Sequence, residues 1–250
     1  MAEATQVQDF KFVAVGRLAA IRTGIIENSQ VSGINGTFKT TMVLESDQTN
    51  MNGDHRLLVV QAYGAKSDAA EAFHIGDEVK VQGRLRGSET QPDQHGVKHY
   101  RTSLTMNTIE KAEGLEHGFT FEASGLVDRQ PTLDRVIGKG YVRSAFVLSR
   151  SIVQNGKPIQ AKIELSSIKD VAVEASHAQV GDLLVARGDI NSVQEVDKET
   201  DKVRVDAEGN PYYRTFVNTT ELINLTPHLD QTVGTTAPAP EAEVNAPAPF

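Results

Sequence analysis

Apolar and polar residues alternate strictly through EVKVQGRLR (78–86). Val79, Val81 and Leu85 fall on one face, and Lys80, Gln82, Arg84 and Arg86 on the other. That period of two predicts a half-buried strand. LLVVQAY (57–63) has the same character, with Leu58, Val60 and Ala62 turned inward and Leu57, Val59 and Tyr63 outward. Between these runs, AKSDAAEAFHIGD (65–77) predicts a helix capped by Ser67 or Asp68, filled by alanines and ended by Gly76. Gln94-His95-Gly96 and Glu208-Gly209-Asn210 read as hairpin turns. The polar, Gly-containing stretch from Gly24 to Thr37 reads as a loop, either a plain connection or a cover for a bound strand.

The pattern occurs twice. FKFVAVGRLA begins at Phe10 and FTFEASGLVD at Phe119, so that Phe10, Phe12 and Gly16 return as Phe119, Phe121 and Gly125. TFKTTMVLES (37–46) has the shape of YVRSAFVLSR (141–150). HIGDEVKVQGRL (74–85) returns as QVGDLLVARGDI (179–190), and HYRTSLTMNTIE (99–110) as YYRTFVNTTELI (212–223). The helix has its counterpart in SIKDVAVEASHAQVGD (167–182), and Tyr63 has Ser166 or Ser167. A period of about 109 residues, read from Phe10 to Phe119, indicates a duplicated domain rather than a short-repeat array. Each repeat runs strand, strand, strand, helix, strand, strand. That is the order of a five-stranded OB barrel. The expected architecture is all-β with one short helix per domain: OB domains over 8–112 and 117–227, then a disordered tail over 228–250.

Composition refines this picture. The 250 residues contain no Cys, which removes disulfides and thiolate chemistry. No stretch approaches the roughly 18 apolar residues of a membrane span. Met1-Ala2-Glu3-Ala4 does not read as a signal peptide, so a cytoplasmic location is expected. The net charge is −8, which argues against a polyanion binder until its distribution is considered. No Lys or Arg follows Arg214, whereas Glu221, Asp230, Glu241 and Glu243 do. Removing those four from 33 acids leaves 29 against 25 bases in the body, so local basic faces decide. The tail GTTAPAPEAEVNAPAPF (234–250) cannot bury enough apolar surface to offset its ordering entropy. The seven histidines are scattered without metal-ligand spacing, and neither a Gly-x-Ser-x-Gly elbow nor a phosphate loop is present. No enzyme, cofactor or metal is implied.

YGAKSDAAEAFHIGDEVKVQGRLR (63–86) with DQHGVKHYRT (93–102) resembles the bacterial single-stranded DNA-binding protein family. The shared pieces are an aromatic-Gly-Lys-type strand end, a short helix, a Gly-Asp-x-Val turn, a Gly-Arg-Leu-Arg strand and an Asp-x-x-Gly hairpin. VGRLAA (15–20) looks like the family's first strand, and Pro249-Phe250 is similar to its chain end. The likeness covers about residues 10–110 and extends more faintly over 119–225. A phage-encoded member is equally compatible. Departures are the absence of Trp, Leu57 and Thr90 where aromatics are usual, and a tail without a dense acidic cluster.

The resemblance implies a protein that coats single-stranded DNA in replication, recombination or repair. In it the tail residues Pro249 and Phe250 recruit partner proteins, and a homodimer presents four OB folds. Lys and Arg would track phosphates and aromatics would stack on bases. In the first repeat the DNA-binding set is Lys11, Arg17, Lys39, Arg56, Tyr63, Lys66, Lys80, Arg84, Arg86, Lys98, His99, Tyr100 and Arg101. In the second it is Arg135, Lys139, Tyr141, Arg143, Tyr213, Arg214 and Phe216, of which 133–143 is the best basic–aromatic cluster. The plainer readings are a solvated strand face for Lys80, Arg84 and Arg86, a partner contact for Tyr63, and core positions for Tyr100 and Tyr213. The rival function is an OB-fold assembly module with little DNA affinity, favoured by the missing tryptophans and the second-repeat serines.

Overall fold

In the computed structural model the alternating runs become long, curved strands. It describes residues 10–27, 36–50, 53–92, 96, 98–136, 138, 140–154, 156–197 and 200–226. The first repeat contributes β1 (Phe10–Ile25), β2 (Phe38–Thr49), β3 (His55–Tyr63), α1 (Ala65–Glu71), β4 (Glu78–Glu89) and β5 (Tyr100–Lys111). The second contributes β6 (Gly118–Val136), β7 (Tyr141–Gln154), β8 (Lys157–Ile168), α2 (Lys169–Ser176), β9 (Leu183–Gln194) and β10 (Tyr213–Asn224). β1 pairs with β2 along its C-terminal half and with β4 along its N-terminal half. β2 pairs with β3 and β4 with β5, and β5 meets β3 in parallel at Thr105 and Gln61. The second repeat copies this closure, ending in parallel contact of β10 with β8 at Asn218 and Ser166. Both repeats therefore have the five-stranded OB topology. No helix among the described residues is long and apolar enough to cross a membrane.

The expected inward residues form the core. Leu58, Val60, Ala62, Val79, Val81 and Leu85 are buried in the first barrel; Ile163, Leu165, Leu184 and Ala186 are buried in the second. The repeats join through an antiparallel β1–β6 ladder, with Phe10 opposite Ala123, Phe12 opposite Phe121 and Ala14 opposite Phe119. Phe12 and Phe121 are each other's repeat equivalents, as are Phe10 and Phe119, and Ala14 and Ala123. The operation that exchanges the repeats therefore maps this ladder onto itself, and a local two-fold passes between Phe12 and Phe121. All four phenylalanines are buried, so the repeated Phe-x-Phe motif is the seam between the barrels.

Three expectations change. α1 starts directly after Gly64 (φ 58) without a side-chain cap. Ser67 instead lies inside the helix, buried, with its hydroxyl hydrogen-bonded to that of Thr40. Gly76 does not end the helix. It sits in the turn before β4, where its amide donates to the Leu18 carbonyl. Gly24 belongs to β1 and not to a loop. The Glu208-Gly209-Asn210 turn is present, with Gly209 at φ 84. Gln94, His95, residues 28–35 and the tail over 228–250 lie outside the described residues.

The ladder registers also correct the repeat alignment. Lys39 pairs with Tyr63, and its equivalent Arg143 pairs with Ile168, so the counterpart of Tyr63 is Ile168 rather than Ser166 or Ser167. One residue further on, Gly64 corresponds to Lys169, which holds φ 56 with a full side chain. A non-glycine residue in this region carries strain on the order of 1 kcal/mol or more. Lys169→Gly is expected to raise stability by up to about 1 kcal/mol, after the entropy glycine adds to the unfolded chain. Thermal or urea unfolding of the two proteins checks this, and a lower midpoint would show that the conformation is not strained.

Candidate nucleic-acid interface

The outer surface of β2, β3, β5 and β4 forms one continuous face on the first barrel. Lys39 on β2 lies opposite Tyr63 on β3, Arg84 lies opposite Thr105, and Arg86 opposite Ser103. Tyr63 is half-buried and its hydroxyl donates to Gln61 Oε1 at 2.6 Å. Burial pushes its phenol up, and the nearby Arg86 guanidinium pulls it partly back. Lys39 is also half-buried; burial, then repulsion from Arg22, hold its ammonium below the usual lysine range. Lys39, Arg84 and Arg86 carry no ion pair among the described residues. These unpaired cations share a surface with a tyrosine whose ring is fixed by its own hydrogen bond.

Most other predicted cations are already occupied. Lys11 bridges Glu122 of the second repeat at 2.8 Å, and Lys80 bridges Glu110 at 2.9 Å. Lys11 and Arg187 together hold the Glu122 carboxyl below its usual range. Arg17 faces Asp47 at 3.8 Å, and Lys98 pairs with Glu89. Lys66 donates to Asn107 Oδ1 at 2.9 Å. Arg56 is a clamp between repeats, with its side chain only 15% exposed and donating to Gln48 Oε1 and to the Ile190 carbonyl. Exposed pairs of this kind contribute little and can be exchanged for phosphate, whereas the half-buried Arg56, held by the other repeat's backbone, is not free to exchange.

The local two-fold produces two composite grooves, each made by one barrel's face and the other repeat's strand-four–strand-five hairpin. The first, about 550 Å³, sets Arg22, Lys39, Val59 and Gln61 against Pro211, Tyr212 and Tyr213. The second, about 830 Å³, sets Arg143, Ser166, Arg214 and Phe216 against His99, Tyr100 and Arg101. His99 Nδ1 lies 3.2 Å from Glu164 Oε1, the Tyr100 amide donates to Glu164 Oε2 at 3.0 Å, and Arg101 pairs with Glu195. Tyr100 and Tyr213 are thus half-buried at the junction of the repeats; neither is a barrel-core residue.

In the second repeat Arg214 stacks over the Phe216 ring at 5.3 Å, with Phe216 38% exposed at the groove wall. The 133–143 cluster divides. Arg143 lies opposite Asp134, and Tyr141 opposite Val136, on one face of the ribbon. Arg135, opposite Val142, takes the other face. Lys139, Pro249 and Phe250 lie outside the described residues. Among the described residues no cluster of three His, Asp or Glu side chains is placed to hold a metal.

Three features escape a sequence reading. Arg22 lines the first groove because the β1–β2 register shifts between Leu18 and Ala20. Without that bulge, Arg22 would share the inward parity of Leu18. Phe38 is 49% exposed beside Ile25 at the far end of the β1–β2 arm. Arg204 stacks on Tyr212 at 5.7 Å across the second-repeat hairpin. None of the three has a visible signal: Phe38 shares the parity of the buried Thr40, Met42 and Leu44, so alternation alone would turn it inward.

No protein-family model matches the chain, and no curated relative matches it. Solved structures do. The wild-type single-stranded DNA-binding protein of Thermus aquaticus aligns with a TM-score of 0.55 at 18% identity, covering 92% of this chain and 98% of that one. A deletion variant of the same protein, with an arginine-to-alanine substitution, aligns at 0.56 and 17%, covering 90% and 97%. At such identities the likeness establishes the fold alone: over about nine-tenths of its length the chain is folded like the Thermus aquaticus protein.

Proposed function

We propose that this protein binds single-stranded DNA without sequence preference and coats it during replication, recombination or repair. The observation that carries this reading is the trio Lys39, Arg84 and Arg86, without an ion pair among the described residues, on the same outer face of an OB barrel as Tyr63. That side is where OB folds receive oligonucleotides. Unpaired cations neutralise phosphates and release counterions, and an aromatic ring accepts a base at about 1–3 kcal/mol. Arg143, Arg214 and Phe216 extend the path onto the second barrel, and Tyr100 and Tyr213 line it where the repeats meet. The likeness to the Thermus protein supports the same reading. The chain divides into OB domains over 8–112 and 117–227 and a tail over 228–250, whose Pro249-Phe250 end recruits partner proteins in the cytoplasm. Its work is binding rather than catalysis.

Titration with labelled oligo-dT, duplex DNA and single-stranded RNA at two salt concentrations tests this, alongside a chain ending at Thr226. Oligo-dT is expected to bind tightly and duplex weakly, with a log–log salt slope of about −0.7 per phosphate contacted. Affinity that does not change with salt overturns the reading. Ile168 in the place of Tyr63 favours one variation, in which the second repeat chiefly serves assembly and the first carries most of the DNA contact.

A further inference from the structure

The first groove is closed at one end by the protein itself. Arg22 Nη2 lies 2.7 Å from Glu208 Oε2, and Nη1 lies 3.4 Å from Asp206 Oδ2. Both carboxylates come from the tip of the second-repeat hairpin, more than 180 residues away along the chain. The tip is well organised: Asp206 Oδ1 accepts from the amides of Glu208 and Asn210 and from Asn210 Nδ2. Those hydrogen bonds, led by the Asn210 amide, hold the Asp206 carboxyl down to about 2, so it is ionised at any physiological pH.

Beside Arg22 stands a second cation. Arg22 pairs with Thr41 in the β1–β2 ladder, and Lys39 is the diagonal neighbour two residues away, opposite Gly24. Diagonal neighbours are within reach of long side chains. Lys39 lines the same groove and has no ion pair among the described residues. The carboxylates of the tip therefore satisfy one cation of an adjacent pair and leave the other unmet. An anion with several acceptor oxygens, set between the two, would satisfy both.

We infer that Arg22 and Lys39 form a phosphate subsite for the single-stranded backbone, and that Asp206 and Glu208 occupy its arginine in the free protein. The inference rests on the proposed DNA-binding function. The contact is suited to exchange. The side chains of Arg22 and Glu208 are 50% and 65% exposed, so breaking their pair costs little. The arrangement is particular to the first groove. In the β6–β7 ladder Thr132 faces Ala145, the repeat equivalent of Thr41, so the second barrel has threonine where the first has Arg22.

The test uses the full chain and compares oligo-dT affinity for wild type, Glu208→Gln, Arg22→Gln, the double variant, and Glu174→Gln as a charge control on α2. At low salt Glu208→Gln is expected to bind about two- to fivefold more tightly, the range an exposed pair can supply. Glu174→Gln should leave affinity unchanged and Arg22→Gln should weaken it. In the Arg22→Gln background, Glu208→Gln should bring no gain. A gain that persists there in full, or no gain in either background, overturns the inference while leaving DNA binding intact. Absence of oligo-dT binding by wild type overturns the functional reading and this inference with it.

Discussion

Replacing Lys39, Arg84 and Arg86 together by alanine is expected to weaken oligo-dT binding on the order of a hundredfold at physiological salt, at about 1 kcal/mol per phosphate contact. The log–log salt slope should flatten by about 2, because each lost contact removes about 0.7. The companion variant replaces Lys11, Arg17 and Lys80, which are equally basic but bridged to Glu122, Asp47 and Glu110. Removing a bridged cation also frees an acid, and a phosphate that contacted such a cation would first have to displace that acid. This second triple is therefore expected to lose about fivefold or less. Tyr63→Ala on its own should cost about 1–3 kcal/mol of binding with the salt slope unchanged, since stacking releases no counterions. Arg84 and Arg86 are exposed, so melting temperatures should move little, and circular dichroism of each variant checks that folding is intact. Equal losses from the two triples would mean that total charge, rather than the unpaired face, governs binding.

The contrast between the triples marks where sequence reading stops. Alternation in 78–86 assigns Lys80, Arg84 and Arg86 to one outer face, and the structure agrees. It is silent on what stands opposite each of them. Glu110 opposes Lys80 across the β4–β5 ladder, whereas Thr105 and Ser103 oppose the two arginines. Lys11 and Arg56 are engaged by the other repeat, and contacts between repeats have no periodic signature. The Phe-x-Phe motif shows a similar division. Its recurrence reveals the duplication, but not that Phe12 would lie opposite Phe121. Arg22 was hidden for a local reason, because one extra residue in β1 reverses the parity on which inward and outward assignments rest. The counterpart of Tyr63 is not legible in residue identity, because the repeat spacing changes between blocks. The pairing of Arg143 with Ile168 and the positive φ of Lys169 settle the alignment that residue identity left ambiguous.

A large loss of stability is expected from two glycines that the duplication places in equivalent sites, Gly83 and Gly188. A Cβ on Gly83 would stand 2.1 Å from the Thr105 carbonyl oxygen, and one on Gly188 would stand 2.1 Å from the Asn218 carbonyl oxygen. Both obstacles are backbone atoms of the neighbouring ladder strand, and neither can withdraw without breaking pairs between strands four and five of its barrel. Alanine at either site is therefore expected to cost about 3 kcal/mol, the upper range for overpacking. That lowers the melting temperature by roughly 6–12 °C for a domain pair of this size. Gly209→Ala provides the comparison. Its φ is 84 but nothing lies within 4 Å of the added carbon, so only conformational strain of about 1–2 kcal/mol applies. The two severe variants should differ in reach. Gly83 also faces the Phe12 ring, at 2.6 and 2.9 Å from the added carbon, and Phe12 pairs with Phe121 at the seam. The obstacles around Gly188 are all backbone atoms of Asn218, Thr219 and Thr220, within the second barrel. Gly83→Ala should thus loosen the junction and lower the stability of both repeats, seen as faster amide exchange on β1 and on β6 together. Gly188→Ala should accelerate exchange on β9 and β10 and leave the β1–β2 pairs protected. Identical exchange patterns in the two variants would show that the barrels unfold as one unit and that the Phe12–Phe121 seam does not separate their stabilities.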